Sequence, residues 1–108
     1  MDLKKIKKCA EKLELLLMKY SKSDKEAIFL YDTLKELISN AKQGSITQPL
    51  KYGDVPGDFY FTERDLRKYP DLESAYAKFK IEISGGKTDK IKALLKTIEG
   101  YQAKNQMS

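Results

Sequence analysis

The chain has 108 residues, which is enough for one domain with a modest hydrophobic core. It contains no histidine and a single cysteine, Cys9, which excludes an internal disulfide, Cys/His zinc sites and Ser-His-Asp or Cys-His catalysis. The net charge is +5, with lysines concentrated towards both ends; only Arg64 and Arg67 are arginines, although surfaces that read bases favour arginine.

The first two predicted elements are long amphipathic helices. The first runs from about Asp2 to Tyr20, with apolar residues recurring at steps of three and four. Ser23, followed three residues later by Glu26, predicts a capping box at the start of the second helix, which runs to about Lys42 and stops at Gly44. Because the connection is short, the two helices are predicted to pack as an antiparallel hairpin.

Residues 43–61 lack a helical period but are too apolar for a disordered linker. Val55-Pro56-Gly57-Asp58 predicts a type II turn, with glycine at the position that requires positive φ. The run Phe59-Tyr60-Phe61 indicates a brief extended segment that fits either the core or an interface; alternation would place Phe59 and Phe61 inward and Tyr60 outward. Phe29 lies off the apolar stripe of the second helix and either packs under a neighbouring loop or lies exposed; we expect a loop to cover it because an aromatic ring carries a large apolar area.

Three further helices complete the prediction. Thr62 and Asp65 resemble a capping box, which predicts a short helix over residues 62–69, and Pro70 opens a helix that reaches about Ser84. A last helix is predicted over residues 89–101, followed by a frayed tail at 102–108. The expected fold is all-α: a small single-domain helical bundle over residues 1–108, with four long helices, one short helix and a long aromatic and acidic loop between the second and third.

The sequence offers no catalytic pattern. Gly86-Lys87-Thr88 superficially resembles the end of a phosphate-binding loop, but the earlier glycine and the preceding strand are missing, so a helix stop followed by a helix cap fits better. The acidic residues fall on turns and helix starts, where carboxylates cap backbone amides. The sequence has no signal-peptide pattern and no long apolar run, so we expect a cytoplasmic protein. Because no catalytic pattern is present, we also expect that the protein needs no cofactor or metal and is not an enzyme.

Acids and aromatics are concentrated in one turn-rich segment, and this mixture is typical of a surface that binds a protein. Aromatic side chains dominate interface energetics, and carboxylates complement a basic partner. The candidate partner-binding residues are Tyr52, Asp54, Asp58, Tyr60, Glu63, Asp65, Tyr69 and Asp71.

The segment GDVPGDFYFTERDLRKYPDLESAYAKF, between predicted helices of a small chain, resembles the immunity proteins of bacterial toxin–immunity systems, above all those of contact-dependent growth inhibition. The resemblance implies a protein that binds a cognate toxin, often a nuclease, as a 1:1 complex and blocks its active site or substrate path without chemistry of its own. Membranes and nucleic acid are then not expected partners. Many nuclease inhibitors are strongly acidic and this chain is basic, so either the acidic middle segment supplies the complementarity or the toxin is not a basic nuclease.

The alternative hypothesis is a small lysine-rich module that binds nucleic acid or acts as a regulatory interaction module through its terminal helices. In that case binding would depend steeply on salt, because cations released from the nucleic acid drive the association. The lysines that would carry it are Lys4, Lys5, Lys8, Lys90 and Lys92.

Overall fold

The computed structural model describes residues 2–86, and within them every regular element is helical. Helix α1 spans Leu3–Ser21, α2 Lys25–Lys42, the short α3 Asp58–Thr62 and α4 Pro70–Ile83, with 3-10 turns at Tyr52–Asp54 and Leu66–Lys68. The prediction of an all-α fold is therefore confirmed. The predicted last helix at 89–101 and the tail at 102–108 lie outside the described residues.

Helix α1 lies between α2 and α4 and runs antiparallel to both. Its buried stripe consists of Ile6, Ala10, Leu13 and Leu17, the spacing that places side chains on one helical face. On the α2 side, Glu14 accepts a hydrogen bond from the Tyr31 hydroxyl at 2.9 Å and pairs with Lys42 at 2.6 Å. On the α4 side, the Tyr20 hydroxyl donates to Asp71 at 2.8 Å.

The cap of α2 differs from the predicted capping box. Asp24, rather than Ser23, is the capping residue, and its carboxylate accepts the Glu26 N–H at 2.9 Å. Asp24 has the extended backbone of a capping residue, with a φ of −134° and a ψ of 117°, whereas Ser23 still lies in the turn that ends α1. Asp is as good a capping residue as Ser, so α2 is still capped although its cap lies one residue later than predicted.

The segment between α2 and α4 packs against the three long helices. Four of its side chains, Ile46, Val55, Phe61 and Leu66, are buried in the same core as the three long helices. The Leu50 N–H donates to the Ile83 carbonyl at 2.9 Å, which joins the segment to the end of α4. The predicted long loop is therefore packed against the bundle and contributes side chains to its hydrophobic core.

The three consecutive aromatics are helical, so the predicted extended segment is wrong. A single strand would leave its backbone groups without partners, whereas one helical turn satisfies them locally. Gly57 has a φ of 118°, as the predicted turn requires, and α3 begins directly after it. The helical period buries Phe61 but leaves Phe59 half exposed, which corrects the inward placement of Phe59.

Two other local predictions, the helix start at Thr62 and the burial of Phe29, are also wrong. Thr62 ends α3 instead of beginning a helix, and Asp65 has a φ of 70°, which is not the helical conformation that the predicted capping box requires of it. The predicted helix over 62–69 is therefore only a 3-10 turn at Leu66–Lys68. Phe29 is half exposed rather than covered by the loop. The contact between α3 and α2 is made instead by Tyr60, whose hydroxyl lies 3.3 Å from Thr33 Oγ1 on α2.

Candidate functional site

An open groove runs between α4 on one side and α3 with the two 3-10 turns on the other. Its volume is about 900 Å³, within the range of ligand-sized clefts. Aromatic rings form part of its lining, and charged side chains stand at both ends. The lining residues that matter for the site are Tyr52, Asp58, Phe61, Arg67, Glu73, Tyr76 and Lys80.

A buried lysine organises one end of this groove. Lys80 is only 5% exposed, and its ammonium donates to Asp58 Oδ2 at 2.6 Å and lies 4.2 Å from the centre of the Tyr52 ring. Lys80 occurs four residues after Tyr76 on α4, so its stem follows the buried stripe while its charge reaches the groove. The Asp58 side chain remains 60% exposed, which leaves part of its carboxylate open to a partner.

Tyr76 joins α3 to α4 beneath the groove. Its ring stacks on Phe61 with centroids 4.9 Å apart, and its hydroxyl donates to the Pro56 carbonyl at 2.7 Å. Burial, and after it the neighbouring Asp58 carboxylate, raises the pKa of Tyr76 well above its ordinary value. The phenol therefore stays protonated and keeps donating, so the position of α3 on α4 is maintained.

A second polar cluster lies where α1, α2 and α4 meet. The rings of Tyr20 and Tyr69 stack with centroids 4.0 Å apart, and the hydroxyl of Tyr69 donates to Asp24 at 2.8 Å as that of Tyr20 does to Asp71. The hydrogen bond from Tyr20 lowers the pKa of Asp71. For Asp24, burial acts towards a higher pKa, but the bonds from Tyr69, the Glu26 N–H and a neighbouring lysine lower it. This cluster holds helix ends together.

The structure separates the predicted partner-binding residues into groups. Tyr52 and Asp58 meet in the groove around Lys80, whereas Tyr69 and Asp71 belong to the polar cluster. Tyr60 faces α2 on the other side of α3. All eight predicted residues are at least partly exposed, and the remaining three are Asp54, Glu63 and Asp65.

Sequence reasoning missed the most informative residue of the groove. Lys80 lies between Tyr76 and Ile83 on the buried face of α4, and a lysine within an apolar stripe is a signal that could have found it. The sequence reasoning also missed the ion pair at the other end, between Arg67 and Glu73 at 3.4 Å.

Each carboxylate that lines the groove is paired with a cation. Both of its carboxylates stand beside a cation, Asp58 beside Lys80 and Glu73 beside Arg67. Over residues 2–86, no three His, Cys, Asp or Glu side chains are arranged to hold a metal ion.

Comparison with protein-family models, curated proteins and solved structures found no match for this chain. In the part of the chain that the structure describes, no helix has both the length and the apolar character needed to cross a membrane.

Proposed function

We propose that this protein is a cytoplasmic immunity protein that neutralises a cognate bacterial toxin by forming a 1:1 complex with it. The observation that carries the proposal is the open groove with its aromatic and charged lining, around which predicted contact residues remain exposed. The protein would act by covering a surface of the toxin and would perform no chemistry of its own.

The groove has the features of an interface whose geometry is set before binding. Lys80 holds Asp58 and Tyr52 in place, and Tyr76 holds α3 against α4. Rigid contact groups lose little conformational entropy on association, which favours affinity. Tyr52 is 46% exposed, so its ring has apolar area left to bury in a partner.

The test uses the toxin domain encoded by the reading frame directly upstream, purified in an inactive form. Titration calorimetry is expected to give a 1:1 complex, and Asp58→Lys or Asp65→Lys is expected to abolish it because each places a cation on the acidic side of the contact. Circular dichroism checks that the variants fold. If the charge reversals unfold the protein, Tyr52→Ala replaces them in the test. Tyr52 is exposed, and its loss should weaken the affinity less than a charge reversal.

Lys4→Glu and Lys8→Glu on α1 serve as the matched controls, since both lysines are exposed and lie on another helix. They should leave toxin binding unchanged. The proposal fails if the wild-type protein does not bind the toxin domain. It also fails if the protein instead binds nucleic acid with a steep salt dependence that the lysine variants remove, which is the behaviour of the alternative module.

A further inference from the structure

The solvent-facing side of α1 is a second exposed surface, and we call it the α1 face. Its central row consists of residues at alternating steps of four and three, which align along one side of a helix about 28 Å long. This side lies opposite the buried stripe of α1, so the core does not use it. The row is Lys4, Lys8, Glu11, Leu15, Met18 and Lys22, flanked by Lys7, Lys12 and Lys19, and all nine residues are exposed.

The positive charge of the described chain is concentrated on α1. This helix carries six lysines against two acids, whereas α2 has three of each and α4 has two lysines against three acids. One of the two acids, Glu14, is already paired with Lys42 of α2. None of the six lysines of α1 forms an ion pair across residues 2–86. The α1 face as defined has six lysines and one acid, Glu11, so its field is positive and the neighbouring helices do not cancel it.

Apolar side chains stand exposed among these lysines. Leu15 is 68% exposed and Met18 is 51% exposed, and the two lie one turn apart on α1. Ile28 of α2, which is 42% exposed, lies beside Met18. The hydrogen bond between Glu14 and Tyr31 aligns the two helices, with Met18 one turn after Glu14 and Ile28 one turn before Tyr31. Neighbouring exposed apolar side chains mark contact surfaces, whereas scattered single ones need no explanation.

The chain itself does not supply a partner for this charge. The segment between α2 and α4 packs on the core side of the helices, where Gly57 lies against Leu30 of α2 and Tyr76 of α4. Residues 87–108 carry five lysines against two acids, so they have the same sign of charge as the α1 face. A symmetric contact between two copies through this face would set lysines against lysines. The complementary surface therefore belongs to another kind of molecule.

The composition of the α1 face favours an anionic lipid surface over a nucleic acid. Reading bases favours arginine, and stacking on bases requires aromatic rings, but the face contains neither. Leu15 and Met18 would gain nothing from a phosphate backbone. They would gain from the apolar region below lipid headgroups, while the long lysine side chains keep their charges at the level of the anionic headgroups.

We propose that the α1 face binds peripherally to an anionic membrane surface, with its lysines on the lipid headgroups and Leu15 and Met18 inserted between them. A cytoplasmic protein meets such a surface at the inner leaflet, where anionic lipids attract basic segments. The inference goes beyond the proposed function and does not rest on it. The groove shares no residue with the α1 face, so it would stay open to the toxin.

The experiment measures co-sedimentation of the full chain with vesicles of phosphatidylcholine alone and with vesicles of phosphatidylcholine and phosphatidylglycerol in equal parts. The wild type should partition into the anionic vesicles at least about tenfold more strongly, because each lysine near a negative surface adds to the attraction. Lys4→Glu/Lys8→Glu should lower this partitioning at least about tenfold. Leu15→Ala/Met18→Ala should lower it several-fold and leave its salt dependence unchanged, because no charge is altered.

Two control variants carry matched changes away from α1. Lys51→Glu/Arg64→Glu makes the same change in net charge at exposed positions, and Phe59→Ala removes an apolar side chain of similar exposure. Both should bind the anionic vesicles nearly as well as the wild type, and circular dichroism checks that every variant folds.

The inference is overturned if both kinds of vesicle bind the wild type equally, or if Lys51→Glu/Arg64→Glu loses as much binding as Lys4→Glu/Lys8→Glu. A nucleic acid is the partner instead if duplex DNA or RNA binds where vesicles do not and the α1 lysine variant removes that binding. Unchanged partitioning of Leu15→Ala/Met18→Ala would refute the insertion of the apolar residues. A failure to bind the toxin would leave all these results as they are, so the two proposals fail separately.

Discussion

The Asp58–Lys80 pair permits a quantitative test of the groove. Asp58→Ala leaves the buried Lys80 ammonium without its carboxylate, since the only other group described beside it is the Tyr52 ring. Breaking a fully buried pair costs about 3–5 kcal/mol. Here the Asp58 side chain is 60% exposed, so water can reach the cation once the carboxylate is gone. We therefore expect a loss nearer to that of a charged hydrogen bond, about 2 kcal/mol.

The opposite substitution should cost less. Lys80→Met keeps a long apolar stem on the buried face of α4, and the carboxylate that remains is exposed enough to be hydrated. The expected loss is below about 1 kcal/mol, chiefly from the cation–π contact with Tyr52. The double variant should resemble Lys80→Met alone, because alanine at position 58 does no further harm when no buried cation is present.

Urea denaturation followed by circular dichroism measures the three free energies of unfolding. The reasoning is refuted if Lys80→Met is as destabilising as Asp58→Ala, or if the two losses simply add in the double variant. Additive losses would mean that the 2.6 Å pair is not energetically coupled, whereas equal single losses would mean that the buried ammonium costs nothing extra without its carboxylate.

Gly57→Ala should destabilise the protein by about 2–4 kcal/mol in a urea melt, because the φ of Gly57 is 118° and a Cβ would lie 2.9 Å from two side chains. Gly53 has open space around it, so Gly53→Ala should change the free energy of unfolding by no more than about 0.5 kcal/mol. Phe61→Ala should cost about 3–5 kcal/mol, whereas the half-exposed Phe59→Ala should cost less than about 1 kcal/mol, and equal losses would contradict the assigned orientation of α3. A lowered pKa for Asp71 means that the folded state binds fewer protons than the unfolded one. The stability that the ionised Asp71 carboxylate contributes is therefore present above about pH 4 and is lost as pH falls through the folded pKa. Asp71→Asn should therefore flatten the acid dependence of the urea midpoint; an unchanged profile would exclude that contribution.

The long helices and their buried faces follow from the sequence because they depend on local periodicity. The stripe of Ile6, Ala10, Leu13 and Leu17 repeats at helical spacing, and burying it requires only another apolar face nearby. Positive φ at Gly57 is likewise a local property of a Pro-Gly turn.

Tertiary packing decided what the middle segment does. Whether Phe59-Tyr60-Phe61 is helical or extended depends on whether a strand lies beside it, and residues 2–86 contain none; local composition does not record this. The burial of Lys80 depends on Asp58 and Tyr52 arriving from a distant part of the chain to balance its charge. The candidate surfaces are therefore products of the assembled bundle, because long-range contacts determine which charges are paired and which remain free to meet a partner.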